Sequence, residues 1–482
     1  MITWWVVIGI AVDLAIRIAA IIVVPRNRRP TSATAWLLAI YFIPYFGVLL
    51  FLLIGNPRLP RARRRKQSLV NDYIREASAN LDARSSEEGQ PAWFTSLVRM
   101  NRRLGAMPML DHNDAHLEPD YEASINRMAD EIRRAEKFVY IEFYIFQADH
   151  TTETLFQAME DATARGVTVR VLLDHWANRW KPYYRATLRR LDAMGAKWHL
   201  MLPVQPLRGK TQRPDLRNHR KLLVVDGIVA WMGSQNITDS SYNLKKNIKR
   251  GLHWVDLMVR LEGPVVSSVA AVFLTDWFTE TDELISDGDV AIAPPSADGD
   301  LQCQIVPSGP GFEVENNLRM FVALVYAAQE RINIISPYFV PDEALLIAIT
   351  SAVQRGVKVE LFVSEIGDQA IVWHAQRSYY EALLRAGIRI WMYRQPYILH
   401  TKGLTIDDDI AVIGSSNMDM RSFGLNLEVS LLVRDAGFVQ EMREVEDQYR
   451  ELSRELTAEE WSKQPLRSTV LDNLARLTSA LQ

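Results

Sequence analysis

The sequence predicts an α/β protein of two related halves, each a mixed β-sheet covered by helices, behind an N-terminal two-helix transmembrane hairpin. Three observations predict it. One short polar motif occurs twice. Strand-like and helix-like runs alternate in the same order ahead of each copy. Two long apolar runs open the chain. At 482 residues the chain exceeds one ordinary domain, and 48% of it is apolar, enough for a large core. The single cysteine, Cys303, excludes an intrachain disulfide framework and suits a small core residue. A net charge of −3 hides local basic clusters.

Residues 3–24 are apolar apart from Asp13 and Arg17, and residues 34–54 are apolar throughout. Each matches the roughly 20 residues that cross a bilayer. Asp13 and Arg17 stand one helical turn apart and can pair, which lowers the cost of burying either. The first run lacks a basic start and a small-residue cleavage site before Pro25, so it reads as an uncleaved anchor. A buried soluble hairpin is the other reading. Arg26, Arg28 and Arg29 follow the first run. Arg58, Arg61, Arg63, Arg64, Arg65 and Lys66 follow the second. That excess places the remainder of the chain on the cytoplasmic side of the cell membrane. The basic run also suits anionic lipid. The hairpin is assigned to 1–55 and a basic, polar linker to 56–105, with a loop at 84–91.

The first half spans 106–285. Residues 138–146 read as a strand, 152–165 as a helix, 167–173 as a strand and 184–194 as a helix. The second half, 300–455, repeats the order: strand 332–339, helix 344–354, strand 357–363, helix 379–386. Arg165-Gly166-Val167-Thr168-Val169 and Arg355-Gly356-Val357-Lys358-Val359 form the same helix-to-strand junction. Such alternation predicts largely parallel or mixed sheets. The halves should pack about a pseudo-two-fold axis with one motif from each at the interface. Residues 285–300 have the composition of an interdomain linker. Residues 456–482 read as a helical tail with Val470, Leu474, Leu477 and Leu481 on one stripe, either packed on the second half or facing the membrane.

The repeated motif is His219-Arg220-Lys221 with Asp226, then Gly233-Ser234-Gln235-Asn236. Its second copy is His400-Thr401-Lys402 with Asp407, then Gly414-Ser415-Ser416-Asn417. Agreement at six positions marks an internal repeat. Residues i and i+2 of a strand share a face, so each His and Lys points the same way. Asp226-Gly227 and Asp407-Asp408 are turn residues, and an apolar run follows each, so both copies read as β-hairpins. His, Lys and Asn then converge. Lys221, Lys402, Asn236 and Asn417 would hold phosphate oxygens, and His219 and His400 would attack phosphorus and move protons. No cluster with metal-ligand spacing is present, so no metal is expected. No phosphate-binding loop appears, so no nucleotide or other cofactor is expected.

These residues resemble the phospholipase D superfamily. Ile335-Ser336-Pro337-Tyr338-Phe339-Val340-Pro341, the run from Asn417 to Glu428 and the apolar N-terminus narrow the resemblance to the bacterial cardiolipin synthase family. The resemblance implies a catalytic set of His219, Lys221, Asp226, His400, Lys402 and Asp407, with the two aspartates at the far strand end and structural. It implies that an acid orients the imidazole of its own half, Asp256 for His219 and Glu428 for His400. It implies that His219 attacks and His400 serves as general acid and base. The reaction implied is between two phosphatidylglycerol molecules, donor and acceptor, giving cardiolipin and glycerol at a membrane, without nucleic acid. A hydrolase, or a transferase to another alcohol, would share every catalytic residue. A nuclease would draw on the basic insert Lys245-Lys246-Asn247-Ile248-Lys249-Arg250. A catalytically dead scaffold would not need two intact motifs.

Overall fold

A computed structural model of the chain describes residues 4–26, 28, 30–55, 59–79, 90–205, 210–211, 213–285, 294–296, 299–312 and 315–478. Residues 84–89 of the expected loop, most of the 285–300 linker, Arg29, Arg58 and Leu481 lie outside the described residues.

The N-terminal run forms α1 (Trp4–Val23), and Arg17 pairs with Asp13 at 2.7 Å as expected. The second apolar run departs from expectation. It forms two helices, α2 (Pro30–Phe42) and α3 (Pro44–Ile54), broken at Ile43, whose ψ is 70°. Pro44 explains the break. It has no N–H for the helix ladder, and its ring drives the preceding residue out of helical geometry. α2 and α3 pack together, with Trp36 edge-on to Phe51 at 5.4 Å. Among the described residues, α1 is the one helix long and apolar enough to cross a membrane.

The expected linker is also more structured than its polarity suggests. α4 (Arg61–Ala77) lies against the helix Val265–Thr281, and Lys66 pairs with Asp282 at 2.5 Å and Arg63 with Glu280. Part of the basic flank is therefore engaged by the first half. Residues Ala92–Gly105 form a helix that buries Phe94 and Leu97 in the core of the second half.

The two halves share one sheet. In the first half its strands are β1 (Met109–Glu118), β2 (Phe138–Phe143), β3 (Thr168–Asp174), β4 (Lys197–Met201), β5 (Lys221–Val225), β6 (Val229–Gly233) and β7 (Met258–Glu262). In the second they are β8 (Leu301–Ser308), β9 (Arg331–Ile335), β10 (Lys358–Ser364), β11 (Arg389–Tyr393), β12 (Gly403–Ile406), β13 (Ile410–Gly414), β14 (Asn426–Arg434) and β15 (Ser453–Leu456). The spatial order is β15-β11-β10-β9-β12-β13-β14-β8-β1-β7-β6-β5-β2-β3-β4. Outward from the β8–β1 pair, the two sides repeat the same sequence of strands, so the internal repeat is a structural repeat. The strand expected at 138–146 ends at Phe143, and the helix expected at 379–386 begins earlier, at Ala370.

One face of the sheet is covered by Val265–Thr281 and Ala436–Glu451, and its core draws Val259 and Phe273 from the first half and Leu431 and Met442 from the second. Burying apolar side chains of both halves in one core is what fixes their mutual position. Each half has a separate core on the other face.

Candidate active site

Both motifs fold as expected hairpins, β5–β6 and β12–β13. Each turn is closed by its signature aspartate. Asp226 accepts from the backbone N–H groups of Glu136, Lys137 and Phe138 at 2.7–2.8 Å. Asp407 accepts likewise from Glu330 and Arg331 at 2.8 and 3.0 Å. Neither lines the catalytic cavity. Asp226 and Asp407, counted in the catalytic set, are thus turn anchors remote from the cavity. The glycines of the repeated Gly-Ser are forced by packing. A Cβ on Gly233 would lie 2.4 Å from the Leu257 carbonyl oxygen, and one on Gly414 would lie 2.3 Å from that of Val429.

His219 and His400 stand just before their strands, where short crossing segments lead in. Arg217–Asn218 pairs in parallel with Asn426–Leu427, and His253–Val255 pairs in parallel with Tyr397–Leu399. The N–H of His219 donates to the Leu427 carbonyl at 2.8 Å, and that of His400 to the Val255 carbonyl at 2.7 Å. Each imidazole is thereby laid against the acid-bearing strand of the opposite half.

The acids follow that crossing. Nδ1 of His219 lies 3.0 Å from both carboxylate oxygens of Glu428. Nδ1 of His400 lies 2.7 Å from Oδ1 of Asp256. The expectation that each acid orients the imidazole of its own half is overturned: Glu428 serves His219 and Asp256 serves His400. The crossed lead-in strands are the physical reason. Nδ1 of His219 also lies 3.0 Å from the Ser415 carbonyl, which can only accept. Nδ1 therefore carries the proton, and Nε2 is left with a lone pair.

Two serines missed as site residues complete the pairs. The Ser415 hydroxyl donates to Glu428 at 2.5 Å and the Ser234 hydroxyl to Asp256 at 2.6 Å. Each serine holds the acid of its own half. Their place in the repeated Gly-Ser-x-Asn was the available signal.

His219, His400, Asn236 and Asn417 line a single cavity of about 500 Å³, within the usual range for small-molecule sites. Lys221 and Lys402 lie behind its wall, and each donates to the backbone carbonyl of its own histidine. An ammonium group has three N–H donors, so each retains two. Asn236 is partly committed: Oδ1 accepts from the Ile145 N–H at 3.0 Å and Nδ2 donates to the Tyr242 hydroxyl at 2.8 Å.

Burial pushes both imidazoles down to about 4, and the neighbouring lysines add to it against the pull of the carboxylates. Burial alone would raise Glu428 and Asp256, but the facing imidazoles and ammonium groups hold both below the usual carboxylate range. Each pair rests as an ionised carboxylate accepting from a neutral imidazole. Burial brings Lys221 down to about 8 and Lys402 well below the ordinary lysine value.

The arrangement offers a nucleophilic nitrogen, a second imidazole for proton transfer and nearby positive charge. Comparison with known proteins agrees with that chemistry. The family described as cardiolipin synthase, phospholipase D-like domain, matches residues 128–276 and 321–449, and a phospholipase D-nuclease N-terminal family matches 15–56. The chain is 32% identical over 467 residues to cardiolipin synthase A of Serratia proteamaculans, covering 95% of this chain and 94% of that one. It is 31% identical over 488 residues to cardiolipin synthase A of Klebsiella pneumoniae, covering 100% and 99%. Its fold is shared with the phosphatidylserine synthase of Haemophilus influenzae Rd KW20, with a TM-score of 0.60 at 15% identity over 80% of this chain and 100% of that one.

Proposed function

The chain belongs to the phospholipase D-like cardiolipin synthase family, and from that membership we propose that it transfers a phosphatidyl group between two phosphatidylglycerol molecules, giving cardiolipin and glycerol. It is a membrane-associated phosphatidyltransferase. The observation that carries the mechanism is the pair of histidines on one cavity wall, each with Nδ1 bonded to a carboxylate of the opposite half.

His219 is the nucleophile. Its Nε2 attacks phosphorus of the first phosphatidylglycerol, an N–P bond forms, and the P–O bond to glycerol breaks. His400, as imidazolium, gives its proton to the departing glycerol oxygen. The anionic phosphodiester and the Asp256 carboxylate favour that proton, offsetting the desolvation that depresses it in the unliganded pair. In the second step the glycerol hydroxyl of another phosphatidylglycerol attacks phosphorus. His400 takes its proton, the N–P bond breaks, and His219 is regenerated. Lys221, Lys402 and Asn417 supply the charge and donors that stabilise the non-bridging oxygens as charge builds. One phosphodiester replaces another, so no external energy source enters.

The catalytic halves lie on the cytoplasmic side together with both ends of the second apolar run, which does not form the expected second crossing: α2 and α3 fold back on each other, so that the Arg28 guanidinium meets the Gly55 carbonyl. The arginines around both apolar runs support this orientation.

Product analysis tests the function. Purified full-length protein in mixed micelles with phosphatidylglycerol as sole lipid should yield cardiolipin and glycerol in equal amounts. Phosphatidic acid as the main product would make the protein a hydrolase, and absence of any product would remove the catalytic reading.

A further inference from the structure

The reaction proposed above joins two anionic lipids, yet the paired motifs act on only one phosphodiester. The acceptor keeps its own phosphodiester intact, one glycerol away from the reacting phosphorus. A second negative charge drawn into a partly buried cavity needs a cationic partner.

Three cationic side chains outside the motifs line the cavity: Arg421, Lys181 and Lys246. Arg421 is committed. It donates to the Asp215 carbonyl at 2.5 Å and stands beside the buried Asp419. Lys181 and Lys246 make no ion pair or side-chain hydrogen bond among the described residues, although Lys181 is half-buried. The Lys181 ammonium lies 4.9 Å over the Tyr242 ring, and the Tyr242 hydroxyl accepts from Asn236. That contact places Lys181 on the cavity wall one aromatic ring away from the first motif. Lys246 belongs to the basic insert, which forms the short helix Lys245–Arg250 at the cavity. The nearby carboxylate, Asp368, is already engaged by the Tyr338 hydroxyl, 3.0 Å from both its oxygens. Two ammonium groups against one satisfied carboxylate leave this part of the wall net positive. Burial brings Lys181 down to about 8, with the Asp368 carboxylate opposing the shift and the Lys246 ammonium adding to it.

We propose that Lys181 and Lys246 form the acceptor subsite, holding the intact phosphodiester of the second phosphatidylglycerol while its glycerol hydroxyl reaches the phosphohistidine. This rests on the cardiolipin-forming reading and assigns the basic insert to lipid selection rather than nucleic acid. Free glycerol, which carries no phosphate, does not use the subsite.

Two rates measured on the same full-length protein separate the roles. Exchange of labelled glycerol into phosphatidylglycerol needs only the donor site. Cardiolipin formation needs both. In a Lys181→Met, Lys246→Met double variant the ratio of cardiolipin formation to glycerol exchange should fall about ten-fold or more, equivalent to about 1.4 kcal/mol or more. The phosphatidylglycerol concentration for half-maximal cardiolipin formation should rise. The Lys181→Arg, Lys246→Arg variant keeps the charge and should hold the ratio near that of the unaltered protein. An unchanged ratio in the Met variant, or two rates that fall together, overturns the proposal. Unaltered protein that exchanges glycerol without making cardiolipin would instead sink the function itself.

Discussion

Lys221 and Lys402 are buried behind the two imidazoles, and in the proposed mechanism their charge is what stabilises the phosphodiester. Burial lowers the Lys221 ammonium to about 8. As pH rises through that value the free enzyme loses the cation, so kcat/KM should decline above about pH 8, because this quantity reports the free enzyme. A bound phosphodiester favours the charged lysine, so the matching decline in kcat should lie at higher pH. Initial rates across the alkaline range check both, and coincident limbs would exclude Lys221 from substrate binding. The histidines carry a stability signature with its own sign. Their folded values, about 4, lie below the usual 6.5. Between those values the unfolded chain binds more protons, so stability falls as pH drops through that window. His219→Asn with His400→Asn should flatten this part of a pH–stability profile measured by denaturant unfolding. The motif residues were legible in the sequence because they repeat. The partner of each imidazole was not, because sequence distance to an acid does not reveal which half the lead-in strand joins.

At the level of single elements, the hairpins tolerate little change where the next strand runs close. A Cβ on Gly414 would meet the Val429 carbonyl oxygen and, at 2.8 Å, the Ser430 Cα, all of it backbone. Gly414→Ala should destabilise the fold by about 3 kcal/mol, the upper range for overpacking. A thermal unfolding midpoint equal to the unaltered protein would contradict this packing. The tail shows how an apolar stripe misleads. The helix Leu466–Arg476 does pack on the helix Ala370–Ala386, but through Asp472, which pairs with His374 at 2.6 Å and Arg377 at 3.2 Å. Val470, Leu474 and Leu477 face outward. The stripe from Val470 to Leu477 is present but points outward, and the buried Asp472 with its partners His374 and Arg377 seats the helix. In the second apolar run the signal was the proline. Hydropathy alone gave one span, and Pro44 breaks it.

Across the whole molecule, the repeat becomes a mirrored strand order joined at β1 and β8, and the shared core locks the halves so that both motifs open on one cavity. The two-half α/β architecture was readable from alternating strands and helices. The crossing of the lead-in strands was not, since it depends on long-range pairing that local pattern does not encode. That crossing makes each half incomplete alone: each supplies one imidazole and the acid that holds the imidazole of the other half. A donor lipid bearing p-nitrophenol, a leaving group that needs no protonation, isolates the first step. Protein mixed briefly with such a donor, labelled in its acyl chain, and quenched at alkaline pH would retain label as phosphohistidine. Label should persist on His219 in Asp256→Asn, whose defect lies with His400, and should drop sharply in Glu428→Gln. Persistence in Glu428→Gln with loss in Asp256→Asn would contradict the assignment of His219 as nucleophile held by the acid of the other half.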